Sequence, residues 1–247
     1  MNKSMRVVLI IQARMGSKRL PGKSMMDLNG APLVGRILER VQRCKKIDQI
    51  ILAIPDTWEN QPLKKLADDY NIKCYMGSEN DLVDRYYQAA TASKADLIVR
   101  IPADNATSEP AEIDRIIDYH LTLGMPGFSS NLAEIYNSGY PDGIGAEIFN
   151  YSLLCDIQEK VTNSFRREHV HLNFFNYETG KAVDSDWCPV NTIDCPTKFS
   201  RPDLILDVNT MEQYLFMKSL YEALYPKNSN FTILDIIDWY DNYKLAR

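Results

Sequence analysis

Val7 to Gln12 (VVLIIQ) is a continuous run of apolar, mostly β-branched residues that ends abruptly at a segment rich in Gly, Pro, Lys and Arg. A run this short and uniformly apolar is a strand buried on both faces, and such strands belong to parallel sheets covered by helices. The chain then repeats the unit. Leu33, Val34, Ile37, Leu38 and Val41 recur at helical spacing behind Pro32, a residue suited to a helix start. Gln49 to Ile54 reads as a second buried strand, Glu59 to Tyr70 as a helix and Lys73 to Tyr75 as a short strand. Leu82, Tyr86 and Ala89 mark a further helix, and Asp96 to Ile101 the following strand. The alternation predicts an α/β protein with a mostly parallel, doubly wound sheet, because each parallel crossover is right-handed and long enough for a helix.

Between residues 124 and 190 the alternation stops. Loops rich in Gly, Pro and Asn surround a strand at Gly145 to Phe149, a helix from about Tyr151 and a charged, aromatic stretch from Phe165 to Phe175. This predicts a small insertion or subdomain within one domain spanning 1–247, a length one hydrophobic core can hold. Leu204 to Val208 reads as a returning strand, and Thr210 to Tyr225 and Ile233 to Tyr243 as closing amphipathic helices. No apolar run approaches the roughly 20 residues of a membrane helix, and no cleavage signal stands at the start, so a cytoplasmic protein is expected. Five scattered cysteines without C-x-x-C spacing fit reduced thiols rather than disulfides or a zinc cage. A net charge of −5 gives no global field for nucleic acid, so an anionic ligand must be captured locally.

The place for such capture is Gln12 to Lys23, QARMGSKRLPGK. Arg14, Lys18, Arg19 and Lys23 fall there without an acid, and Gly16 and Gly22 permit close backbone approach. Glycine-exposed N–H groups with several cations are the parts of a phosphate site. The loop follows the first strand, where open α/β sheets place ligands, which favours that reading over a merely solvated loop. Asp104 stands beyond the strand ending at Ile101, as an Mg2+ ligand or an ordinary turn residue. Asp207 and Asn209, two apart at another strand end, share a face and can reach one ion; Asn209 fits a helix cap equally well. Arg166, Arg167, Glu168, His169 and His171 form a polar cluster suited to an anionic acceptor or to a surface ion-pair network. Gly139 to Glu147 (GYPDGIGAE) reads as a turn-rich loop running into a strand.

Three of these segments, in order, resemble a known family. IIQARMGSKRLPGK (Ile10 to Lys23) is similar to the signature of the cytidylyltransferases that include the CMP-Kdo and CMP-sialic acid synthetases. PDGIGAEIF (Pro141 to Phe149) and RREHV (Arg166 to Val170) resemble its spore-coat-polysaccharide-F branch. The resemblance implies a glycosyltransferase-A-like nucleotidyltransferase fold, CTP and Mg2+ as partners, and transfer of CMP to an acceptor with release of pyrophosphate in surface polysaccharide or capsule synthesis. It further implies that Ala13, Arg14, Gly16, Ser17, Arg19 and Lys23 hold the nucleotide, with Arg100 nearby and Arg14, Lys23, Asp104 and Asp207 acting in catalysis. Asp104, Asp207 and Asn209 would take the metal. Glu147, Arg167, Glu168 and His169 would line the acceptor side, with Lys198 and Arg201 as additional cations. The acceptor is expected to be small and anionic: a sugar acid, or a phosphorylated molecule such as the phosphoglutamine used by one member of this branch. A homodimer is expected, with no nucleic acid or membrane partner.

Two departures from the family pattern bear on the metal. Ala103-Asp104-Asn105-Ala106 stands where Gly-Asp-x-Pro is usual, and Val208-Asn209-Thr210-Met211-Glu212-Gln213 replaces Val-Asp-Thr-Pro-Glu-Asp, losing two acids. Asp207 can supply the missing carboxylate on the same face. The loss leaves a nucleotide-binding protein without catalysis as a rival reading, and the shared fold leaves a second, a sugar transferase using a nucleotide sugar as donor.

Overall fold

The computed structural model describes residues 5–132 and 135–245. The apolar runs become strands β1 (Val7–Gln12), β2 (Gln49–Pro55), β3 (Lys73–Gly77) and β4 (Leu97–Pro102), linked by helices α1 (Leu33–Val41), α2 (Gln61–Asp69) and α3 (Leu82–Ser93). The four strands lie parallel in the order β3-β2-β1-β4. Period-two geometry divides β1 between two cores. Val7, Leu9 and Ile11 pack with α1 and α2, while Val8 and Ile10 pack with Val83, Tyr86 and Ala90 of α3. Both faces of the sheet are therefore covered, as the unbroken apolar run requires.

After α4 (Pro110–Thr122) come β5 (Phe128–Ser130), β6 (Glu147–Asn150), α5 (Tyr151–Lys160), α6 (Ser164–Glu168), the hairpin strands β7 (Phe175–Asn176) and β8 (Lys181–Ala182), and β9 (Val190–Asn191). Helices α7 (Met211–Leu224) and α8 (Ile233–Leu245) close the chain. The stretch 124–190, whose positions 133 and 134 lie outside the described residues, extends the main sheet to β3-β2-β1-β4-β6-β5-β9 and adds the separate β7-β8 hairpin. Only β6 runs against its neighbours in that sheet.

Two expectations need correction. The helix expected from Glu59 begins instead with a 3-10 turn, Trp58–Asn60, and the α-helix starts at Gln61. Pro62, which lacks an N–H, belongs in a first turn, so the tighter winding ahead of it is local chemistry. Leu204 to Val208 is not a strand: its pairing is a single bridge, Asp142 with Ile205. Leu204, Leu206 and Val208 are nonetheless buried while Ile205 is 54% exposed, so the alternation reflects burial without a ladder. The 139–147 loop holds the segment in place. Asp142 N–H donates to the Leu204 carbonyl (3.0 Å) and Leu206 N–H to the Asp142 carbonyl (3.1 Å). Gly143, at φ +86°, lies so close that a Cβ there would stand 2.8 Å from the Leu206 carbonyl carbon. The loop is thus a clamp on the segment that carries Asp207.

All five cysteines are free, and burial pushes the Cys44 and Cys188 thiols up to about 12. Among the described residues no helix is long and apolar enough to cross a membrane.

Candidate active site

At the carboxyl end of β1 the chain folds back on itself. The Met15 carbonyl accepts from Ser17 N–H (3.0 Å) and Gly22 N–H (3.1 Å), while Met15 N–H donates to Asn60 Oδ1 (2.9 Å). Gly22 adopts φ +72°, and Ser24 Oγ donates to the Arg14 carbonyl (3.1 Å). With Leu20 buried as an anchor, Arg14, Ser17, Lys18, Arg19 and Lys23 face a cleft of about 920 Å3. Ala13 lines it as well. Gly16 does not, and a Cβ there would meet nothing within 4 Å.

The cationic loop and the acids meet at one point. Lys23 Nζ donates to Asp104 Oδ2 (3.0 Å), the Val208 carbonyl (2.8 Å) and Asn209 Oδ1 (3.2 Å), and Arg19 Nη2 reaches the same Asn209 oxygen at 2.6 Å. Asp207 accepts from Asn209 Nδ2 and from Gln213 Nε2 (3.1 Å). Burial, and next the charge of Asp104, raise the Asp207 carboxyl above its ordinary value, while Asn209 and Lys23 pull the other way. Asn209 is not the helix cap. Thr210 holds that position, its Oγ1 accepting from Gln213 N–H (3.2 Å) as the Gln213 side chain accepts from Thr210 N–H (3.0 Å). Gln213 also accepts from Asn209 N–H (2.8 Å), so the position at which the family acid is lost instead orients Asn209 and Asp207.

These residues suit a small hard cation. Asp104, Asp207, Asn209 Oδ1 and the Val208 carbonyl are all oxygen groups, and the Lys23 ammonium already gathers three of them. Among the described residues no three His, Cys, Asp or Glu converge as a metal cage. Two carboxylates without a full cage match Mg2+, which keeps waters and takes phosphate oxygens from its substrate.

The opposite side of the cleft is built differently. Arg100 is buried, donates to Gln12 Oε1 (3.0 Å) and pairs with the buried Glu147 carboxylate. Tyr86 donates to the same Gln12 oxygen (2.7 Å), and Tyr177 to Glu147 Oε1 (3.2 Å). His169 and His171 both line the cleft, their rings 5.9 Å apart, with Phe165 packed on His169 and Tyr177 on His171. Glu168 reaches across to Arg14 at 3.5 Å. Other cations expected here are engaged elsewhere. Arg167 pairs with Asp81 (2.6 Å) and donates to the Val161 carbonyl, and Arg166 donates to Asn173. Arg201 pairs with Asp203 and Asp241, and Lys198 lies over the Phe199 ring; neither lines the cleft. Sequence reasoning passed over Gln12, Arg85 and Tyr177. The polar end of an apolar strand marks Gln12, and a cation inside the apolar face Leu82, Tyr86, Ala89 marks Arg85.

All three histidines, His120, His169 and His171, are held below the ordinary imidazole value of 6.5, chiefly by burial. A base with a depressed folded pKa takes its proton more readily when unfolded, so stability falls as pH drops through 6.5. Thermal melts are expected to show a lower midpoint at about pH 5.5 than at about pH 7.5. His171→Phe, which keeps a ring against Tyr177 but cannot be protonated, should flatten that slope; an unchanged slope would mean His171 is not buried as a neutral ring.

The sequence profile of the family described as Cytidylyltransferase matches residues 8–223. The spore coat polysaccharide biosynthesis protein SpsF of Bacillus subtilis is 30% identical over 221 residues, 87% of this chain and 86% of that one. A 3-deoxy-manno-octulosonate cytidylyltransferase of Chloroherpeton thalassium is 31% identical over 115 residues, 46% of this chain and 45% of that enzyme. The solved structure of a cytidylyltransferase from Leptospira borgpetersenii serovar Hardjo-bovis superposes with a TM-score of 0.85 at 25% identity, over 97% of this chain and 95% of that chain. That likeness bears out the α/β nucleotidyltransferase fold.

Proposed function

The chain belongs to the cytidylyltransferase family, and from that premise we propose that it transfers CMP from CTP to a sugar acid, with release of pyrophosphate, for the synthesis of a surface polysaccharide. The observation that carries the reaction is the junction of Lys23 with Asp104, Val208 and Asn209, where a phosphate-type loop meets one carboxylate directly and a second, Asp207, through Asn209. The acceptor hydroxyl would attack the α-phosphorus in line with the departing pyrophosphate. Positioning and electrostatics supply most of the rate in such transfers. Arg14, Arg19 and Lys23 would hold the triphosphate and take up charge on the leaving group. Asp104, Asp207 and Asn209 would hold Mg2+, which supplies neutralisation of the transferring phosphoryl oxygens. His169, held below the ordinary imidazole value by burial, with Glu168 opposing and Arg100 and Arg14 adding to the effect, would accept the hydroxyl proton on its imidazole nitrogen.

The acceptor class follows from what the far side of the cleft offers. Arg166, Arg167, Lys198 and Arg201 are committed to other partners or lie outside the cleft. Glu147, Tyr177, His169, His171 and Phe165 remain, a set of hydrogen-bonding and aromatic groups suited to a hydroxylated ring. Arg14, loosely paired with Glu168 across the cleft, stands between the two sides and would serve the acceptor carboxylate as well as the triphosphate. A phosphate monoester such as phosphoglutamine would need more positive charge than this side supplies.

The test is pyrophosphate release with Mg2+ and each of CTP, UTP, ATP and GTP against sugar acids and phosphorylated small molecules, phosphoglutamine among them. Release with CTP and a sugar acid is expected. Release with phosphoglutamine alone overturns the acceptor class. CTP binding with silence across the panel favours a non-catalytic nucleotide-binding protein, and turnover of a sugar nucleotide without CTP favours a sugar transferase.

A further inference from the structure

Four arginines among the described residues are buried: Arg36, Arg40, Arg85 and Arg100. Three are saturated by the protein itself. Arg36 donates to the Leu28 and Asn29 carbonyls and pairs with Glu39. Arg40 donates to the Ser108 and Phe231 carbonyls and pairs with Glu109, and Arg100 is held by Gln12 and Glu147. Arg85 is different. It is 4% exposed, its Nε and Nη1 are buried, and neither meets a hydrogen-bond partner among the described residues. Burial and then the neighbouring Arg14 charge oppose its charge; Glu79 and Asp81 favour it without a hydrogen bond to Nε or Nη1, and Asp81 is taken by Arg167. A desolvated guanidinium without a partner is strongly unfavourable. This one lines the cleft, so the missing acceptor belongs to a ligand.

Its place in the fold says which part of the ligand. Arg85 Cγ lies 3.4 Å from where a Cβ on Gly77 would stand, at the carboxyl end of β3. Lys23 and Asp104 sit instead over β1 and β4. Two strand spacings separate β3 from β1, about 10 Å, a span that a nucleoside covers from its α-phosphate to its base. Resting on the cytidylyltransferase reading above, we propose that Arg85 reads the base of the nucleotide and selects cytosine. A guanidinium only donates. Cytosine presents two adjacent acceptors, O2 and N3, whereas uracil carries a hydrogen on N3 and would set donor against donor. Rejection of a ligand that leaves or opposes a buried donor is steep.

The experiment measures CTP, UTP and tripolyphosphate binding by calorimetry for the full chain and for Arg85→Met, with Arg85→Lys as a charge-keeping second variant. In both variants CTP affinity should fall about tenfold or more. The CTP-to-UTP ratio should collapse toward one, and tripolyphosphate binding should hold. The ligand-free melting midpoint of Arg85→Met should not fall, since an unpartnered charge has been removed. An equal loss for tripolyphosphate would make Arg85 a phosphate ligand, and unchanged nucleotide affinities would make it structural; either overturns the assignment. If the unaltered protein prefers CTP and both variants keep that preference, the Arg85 assignment fails alone. If the unaltered protein binds CTP and UTP alike, the cytidylyltransferase reading fails with it.

Discussion

Lys23→Ala is expected to slow pyrophosphate release by about a thousandfold, the upper range for deleting one preorganised charge donor, while moving the melting midpoint little. The asymmetry comes from where the ammonium sits. It joins the cationic loop to Asp104, Val208 and Asn209; of these Val208 alone belongs to a hydrophobic cluster, and it is also held by its own N–H on the Asp104 carbonyl (3.1 Å). Removing it leaves the Asp104 and Asp207 charges less balanced in a half-buried site, which Mg2+ would partly offset in the assay. Initial-rate kinetics set beside thermal melts decide the matter. A stability loss proportionate to the loss of rate would make Lys23 a structural strut and remove the support for its role on the triphosphate.

The parallel half of the fold was legible because buried strands and amphipathic helices have different periods, and β1, β2 and β4 keep their apolar runs almost from end to end, whereas β3 at the sheet edge has no buried residue. Leu204 to Val208 misled for a physical reason. Its alternation is real, yet the partner beside it is a loop clamped at Gly143 rather than a strand, and periodicity records burial without recording hydrogen bonds. Asp207 and Asn209 nonetheless line the cleft together, because burial without a ladder is enough to place them there. Counting cations was less informative. Arg167 is drawn to Asp81, a residue far away in sequence, and Arg201 to Asp241, and nothing local announces such pairings. Arg85 posed the converse difficulty, because a missing partner can be seen only once every neighbour has been placed.

Asp207→Asn should separate the two demands made on this site. Its carboxyl is raised above the ordinary aspartate value of 3.8 by burial and by Asp104, so the folded protein holds that proton more tightly than the unfolded chain. For a raised acid the stabilising contribution is fully present below the unfolded pKa and is lost as pH climbs through the folded one. At neutral pH the ionised group therefore weakens the ligand-free protein. The variant should gain on the parent as pH rises from about 4 to about 7.5, read as a growing difference in melting midpoint. Turnover should move the other way, down by a factor on the order of a hundred to a thousand. The parent should also melt later when Mg2+ is added, and the variant should lose most of that shift. A midpoint difference that does not grow with pH would mean that the Asp207 charge is not a burden on the folded state. An Mg2+ shift retained in full would take Asp207 out of the metal site and leave Asp104 and Asn209 to hold the ion with the nucleotide.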